Sequence, residues 1–193
     1  VVRSAGWDNG ATANVGAVTW GNGATGISGS GSTANSLIGT TSNDSVGSSG
    51  VAALTNGHYV VQSGNWDNGA TSNPGAVTWA NGTTGLIGVV STANSLFGSK
   101  ASDFVGNTSV IALSNGNYVV VSSASDNGAV IDAGAVTWGN GTTGTIGAVS
   151  AANSLVGSTV SDAVGTDSVG SASVTSLANG NYVVRSARWD NGA

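Results

Sequence analysis

The chain has 193 residues, 32 of them Gly, with nine Asp, no Glu, four Lys or Arg, no Cys and a formal net charge of −5. Without Cys there is no disulfide framework, thiolate metal site or cysteine nucleophile, and four bases cannot line a phosphate-tracking surface. Abundant Gly and few Lys, Arg or Glu speak against a helical bundle, while 39% apolar residues at low net charge speak against disorder.

The N-terminal stretch, VVRSAGWDNG, has no secretory apolar core, and no run in the chain approaches the ~18 apolar residues of a membrane helix. It opens an internal repeat. Trp7 recurs as Trp66, Trp20 as Trp79 and Trp138, Leu37 as Leu96 and Leu155, and Tyr59 as Tyr118, always after 59 residues. Residues 1–59 and 60–118 share 36 identities. The third period is five residues longer, near Gly165–Ser173, so 64 residues separate Tyr118 from Tyr182. Residues 183–193 repeat residues 1–11 except at Gly6 and Arg188. The chain reads as one repeat array, residues 1–193, with units of about 1–59, 60–118 and 119–182 and the start of a fourth at 183–193. This overlap leads us to expect an excerpt of a longer array, or one protomer of a larger propeller or fibre.

Each period predicts four short antiparallel strands. Val110–Leu113 is a β-rich run, Asn115-Gly116 a turn, and Tyr118–Ser122 a second run. The Asp126-Asn127-Gly128 loop leads to Gly134–Trp138, GAVTW, where Val136 and Trp138 face one way and Ala135 and Thr137 the other. Asn140-Gly141 ends that strand, and Asn153–Gly157, NSLVG, is the fourth. A turn at Asp162-x-Val164-Gly165 leads to Val174–Leu177, Asn179-Gly180 and Asn181–Ser186. Asn-Gly between β-rich runs predicts a type I′ hairpin turn, with φ > 0 at both residues. A lone four-stranded unit cannot bury both its faces, whereas stacked units can. The expected fold is all-β, with tandem four-stranded antiparallel blades of β-propeller type; a β-solenoid is the alternative.

These residues resemble the FG-GAP type of propeller blade. Val105-Gly106 stands where that family has Phe-Gly, followed by Val110–Leu113, Asn115-Gly116, Tyr118–Ser122, Asp126-Asn127-Gly128 and Gly134-Ala135-Val136. The wording YVV…WDNGA…GAVTWGNG is also similar to uncharacterised bacterial repeats of very large surface proteins. Calcium-binding FG-GAP blades carry an Asp-rich loop between their first two strands. Here that turn is Thr55–His58, Ser114–Asn117 or Ala178–Asn181, without a carboxylate, so the family's metal site is not carried over. No cofactor or metal is expected.

An active site should stand out as unique within an array. Asp8, Asp67, Asp126 and Asp190 are equivalent, as are Asp44, Asp103 and Asp162, which points to turns in which Asp bonds backbone two residues on. Only Asp132 and Asp167 are unrepeated, and neither has a comparably unique acid or base beside it. The single His58 is replaced by Asn117 and Asn181, so no Ser-His-Asp set can be argued and an enzyme is not expected. Trp20, Trp79 and Trp138 end the GAVTW strand and read as core between stacked sheets. Trp7, Trp66 and Trp189 abut the Asp-Asn-Gly loop, and Ser125 replaces them once, so Trp66→Ala should cost less stability than Trp79→Ala. This second set, with Asp8, Asp67 and Asp190, would be the binding site if the repeats bind sugars. Ten Asn-Gly pairs are read as turns, and the Asn-x-Ser/Thr patterns at Asn43, Asn81, Asn107 and Asn140 as chance in this composition.

The function expected is a structural or adhesive repeat module of a large extracellular or cell-surface bacterial protein, self-associating into a propeller or fibre. The alternative is a multivalent, lectin-like carbohydrate-binding propeller. Partners would be further copies or neighbouring repeats, then glycans, with no nucleic acid and no membrane span. The isolated segment is expected not to be a stable monomer.

Overall fold

The computed structural model describes residues 1–190 and contains strands and turns without a helix among them. The tenth Asn-Gly pair, Asn191-Gly192 of the fourth Asp-Asn-Gly copy, lies outside the described residues. Three sheets and a hairpin follow one another along the chain. The first sheet holds β1 (Val2–Ser4), β2 (Ala17–Thr19) and β3 (Ser36–Ile38). The second holds β4 (Gly50–Ala53), β5 (Tyr59–Ser63), β6 (Ala76–Ala80) and β8 (Ser95–Phe97). The third holds β9 (Ser109–Ala112), β10 (Tyr118–Ser122), β11 (Ala135–Gly139) and β13 (Ser154–Val156). The last pair is β14 (Val174–Ser176) with β15 (Tyr182–Val184). Neighbours within each set are antiparallel, as the repeat pattern predicts.

Two further strands were not legible in the sequence. β7 (Gly88–Val89) leaves the second repeat and pairs in parallel with β3 of the first, and β12 (Gly147–Ala148) does the same with β8. The first two sheets are therefore each edged by a strand from the next repeat. The sheets pack face to face without closing into a barrel or a propeller ring.

The period-2 pattern explains the packing. In β6 and β11, Val77 and Val136 point toward the following repeat, while Ala76, Thr78 and Ala135, Thr137 point toward the preceding one. Val18 and Leu37 of the first sheet, with Val46 from the turn after β3, meet Tyr59, Val61 and Ala76 of the second. Val60, Val77 and Leu96 meet Tyr118, Val120 and Ala135 in the same way. Val119, Val121 and Val136 meet Val174, Tyr182 and Val184. Leu37 and Leu96 are fully buried, whereas Leu155, facing the two-stranded hairpin, is 55% exposed.

The hairpin turns differ from the type I′ expectation. Gly57, Gly116 and Gly180 have φ of 87°, 89° and 86°, but the preceding Asn residues do not enter that region. Leu54 N–H donates to His58 O and Gly57 N–H to Leu54 O, a three-residue loop ending in a left-handed Gly. Asn-Gly in the WDNGA loop forms a different turn. Asn9 and Thr12 exchange both backbone bonds around Gly10, φ 62°, as do Asn68 and Thr71 around Gly69, φ 60°. Gly at the first central position without positive φ at the second is a type II′ turn.

The tryptophan assignment is also corrected. Trp66 is 3% exposed, set edge-on to Phe97 with ring centroids 6.5 Å apart, while Trp79 is only partly buried and Trp138 is 43% exposed. Sequence position on the strand suggested the reverse order for Trp66 and Trp79. The WDNGA loop folds its Trp back over its own sheet, where the fourth strand supplies Phe97.

Candidate functional site

The chemistry-bearing residues converge on the junctions between repeats. The carboxylate of Asp44 is fully buried in the turn after β3. Its Oδ2 accepts the backbone N–H groups of Thr40 and Thr41 at 2.7 and 2.8 Å, and its Oδ1 accepts that of Asp67 in the next repeat at 2.9 Å. Asp103 accepts from Lys100 and Asp126, and Asp162 from Ser158, Thr159 and Asp190. The other acidic set works locally: Asp8, Asp67 and Asp126 accept the N–H of Asn14, Asn73 and Asp132, six residues on. Both sets are backbone acceptors, but they reach further than the two-residue turns expected. Of the unrepeated acids, Asp132 thus lies in the loop closed by Asp126. Asp167 folds the inserted loop by accepting from Val169 and Ser171, and these bonds, Ser171's first, hold its carboxyl below the ordinary 3.8.

Burial pushes the Asp44 and Asp103 carboxyls up from the ordinary 3.8, and the bonds they accept only partly offset it. For Asp162 burial acts in the same sense, but the Thr159 hydroxyl, 2.6 Å from Oδ1, and the backbone donors outweigh it and hold the group at about 2. Lys100, the one lysine of the chain, reaches Gly128 O and lies 3.8 Å from Asp126 Oδ2.

A second tie runs between the strand-end tryptophans and the next repeat. Trp20 donates its indole N–H to Gly82 O, and Trp79 donates to Gly141 O, each at 2.9 Å. Gly141 O also accepts Asn56 Nδ2 from the β4–β5 hairpin of the preceding sheet at 2.8 Å. The amide of Gly82 in turn donates to His58 Nδ1, and that of Gly141 to Asn117 Oδ1. His58 also meets the Trp79 ring edge-on at 5.0 Å. Histidine and asparagine therefore fill one structural role, which places His58 among packing residues. Close approach requires glycine here: a Cβ on Gly82 or Gly141 would lie 1.7 Å from the carbonyl oxygen of Gly57 or Gly116. The sequence carried a signal for these residues, since Asn-Gly follows each GAVTW tryptophan after one residue.

The three tryptophans named for sugar binding differ in exposure from repeat to repeat. Trp66 is buried, Trp7 is half-buried and Trp189 is 54% exposed. Asp8, Asp67 and Asp190 each sit next to these rings in sequence, and the backbone of Asp67 and of Asp190 is tied to the preceding repeat. A cleft of about 740 Å³ lies beside β1, lined by Arg3, Trp20, Val51, Ala53, His58 and Tyr59 among others. Among the described residues no group of three or more His, Cys, Asp or Glu could hold a metal ion, and no helix is long and apolar enough to cross a membrane.

A family model described as a repeat of unknown function, DUF5650, matches residues 1–48, 53–107, 112–166 and 176–193. The four matches support the tandem repeat and not an FG-GAP identity. No curated protein and no solved structure matches the chain.

Proposed function

We propose that this chain, which belongs to the DUF5650 repeat family, is a structural module whose repeats stack into a propeller or fibre on a large extracellular bacterial protein. The observation that carries the reading is the junction. Trp79 and Asn56 both bond Gly141, Asp44 bonds the backbone of Asp67, and β7 edges β3, so each repeat is finished by the one after it. Asp44, Asp103 and Asp162 serve these ties, and His58 holds the amide of Gly82, the glycine on which the Trp20 tie ends. Small residues, low charge and an all-β composition suit an extracellular setting, and the exposed apolar side chains Trp138 and Leu155 suit contact with a further repeat or copy.

Stacked repeats gain stability from each added neighbour. Arrays lengthened by one and two repeats should therefore unfold at progressively higher denaturant concentration. A midpoint independent of repeat number would overturn the stacking role. Light scattering across a concentration series should show association of the present chain, and a monomer throughout would remove self-association from the proposal. Carbohydrate binding remains a second reading because Trp189 presents an exposed ring beside Asp190. A glycan array with Trp189→Ala as control tests it, and no bound glycan would end it.

A further inference from the structure

The nine described Asn-Gly pairs are not equivalent. Seven of the asparagine side chains are held. Asn22, Asn81 and Asn140 each accept two backbone N–H groups in their own loops. Asn56 and Asn115 accept one and donate to Gly141 O and Gly180 O, Asn179 accepts one, and Asn127 donates to Gly157 O at 2.9 Å. The following glycine N–H is also engaged at Gly57, Gly82, Gly116, Gly141 and Gly180. Asn9 and Asn68 differ on both counts. Among the described residues their side chains have no hydrogen-bond partner, and neither do the N–H groups of Gly10 and Gly69. Both glycines are exposed, and a Cβ built on either would meet nothing within 4 Å.

We propose that Asn9 and Asn68 are the preferred sites of spontaneous deamidation in this protein. The chemistry needs a side-chain amide free to rotate and a following backbone nitrogen free to attack. Glycine supplies that nitrogen without a Cβ in the way. On losing its proton, the Gly nitrogen attacks Asn Cγ, a C–N bond forms, and the side-chain nitrogen takes up a proton and leaves as ammonia. The resulting five-membered succinimide is opened by water at either carbonyl, giving aspartate or isoaspartate. No electrons are transferred, and water is the one co-reactant. A side-chain amide fixed by hydrogen bonds must break them before Cγ can be approached, so the other seven pairs are held back by the fold.

The products act on the most repeated loop of the array. Each event puts a new carboxylate next to Asp8 or Asp67. Isoaspartate also lengthens the main chain by one methylene within a two-residue turn whose bonds, Asn68 N–H to Thr71 O and Thr71 N–H to Asn68 O, need the ordinary backbone. The same loop carries Trp66 and the Asp67 amide bound by Asp44. Deamidation would thus loosen a junction between repeats as the protein ages.

The test is peptide mapping by mass spectrometry of the intact chain after prolonged incubation in mildly alkaline buffer, scored as a gain of about 1 Da at each Asn. Asn9 and Asn68 should convert several-fold faster than Asn127, which occupies the same turn but is held. In concentrated urea the differences among these three should vanish. Conversion of Asn127 as fast as Asn68 in the folded chain, or faster conversion at Asn56 or Asn140, would overturn the proposal. So would an unchanged ranking in urea, because the fold would then not be selecting the site.

Discussion

Trp79 donates its indole N–H to the carbonyl of Gly141, 62 positions further along the chain. Trp20 stands in the same relation to Gly82. A strand-end aromatic that reads as core filling in the sequence thus works as a directional tie, partly buried and aimed at the neighbouring repeat. At Gly141 the tie is doubled by Asn56, and the Gly141 amide is held by Asn117 of its own sheet. One glycine therefore joins two sheets.

Gly141→Ala is expected to destabilise the chain by about 1–3 kcal/mol, the range for forcing extra volume into a packed site. Its Cβ would meet the Gly116 carbonyl at 1.7 Å, and backbone cannot swing aside as a flexible side chain can. Relief requires the two loops to separate, which pulls the Gly141 carbonyl from Trp79 and Asn56. Denaturant unfolding checks this. Gly10→Ala has space around its Cβ, so its cost should come from φ 62° alone.

Trp66→Ala should cost more than Trp79→Ala, opposite to the order that the sequence suggests. Trp66 is buried against Phe97, and removing a buried aromatic costs about 3–5 kcal/mol. Trp79 is partly exposed, and its loss leaves the Gly141 carbonyl still bonded by Asn56. The third repeat has Ser125 and Val156 where the second has Trp66 and Phe97, so two positions change together. The double variant Trp66→Ser, Phe97→Val should therefore lose less stability than the sum of its single variants. Additive losses would contradict that coupling.

The main strands were legible because each has a period-2 pattern bounded by Gly or Asn-Gly, and 59-residue recurrence fixes their order. β7 and β12 were not, because two residues carry no pattern and their partners belong to the preceding repeat. The turn type was misread because Asn-Gly serves two geometries here. Gly57 closes a three-residue loop, whereas Gly10 opens a two-residue one. Burial of Trp66 depended on Phe97, 31 residues away in sequence. Recurrence correctly marked Asp44 and Asp103 as structural, but their bonds to Asp67 and Asp126 exist only once the repeats are stacked.

His58→Asn should leave stability within about 0.5 kcal/mol of the parent, the ordinary range for a substitution that breaks no specific feature. Asn117 makes the equivalent bond to Gly141 at 3.0 Å, against 3.1 Å from His58 Nδ1 to Gly82. His58→Leu removes the acceptor and leaves a part-buried N–H unpaired, costing about 1–3 kcal/mol. Thermal unfolding of both variants separates a shared acceptor role from a role of the imidazole itself; equal losses would favour the imidazole.

Asp44, Asp103 and Asp162 are equivalent in sequence but should titrate apart. Burial raises the carboxyls of Asp44 and Asp103, whereas the Thr159 hydroxyl and backbone donors hold Asp162 at about 2. The signs for stability are opposite. A carboxyl raised in the folded state takes up its proton there before it does in the unfolded chain. Asp44 and Asp103 therefore add stability as pH falls through the window above 3.8, and this gain is lost as pH rises through their folded values. Asp162 contributes its full stability above the ordinary 3.8, and that contribution is lost as pH falls toward about 2. Carboxyl-resolved NMR titration of the folded chain should place Asp44 and Asp103 above 3.8 and Asp162 near 2. Thr159→Val, which deletes the hydroxyl 2.6 Å from Asp162, should move Asp162 upward and leave Asp44 unchanged. Three coincident titration curves in the parent would show that the shared turn, and not each junction, sets these acidities.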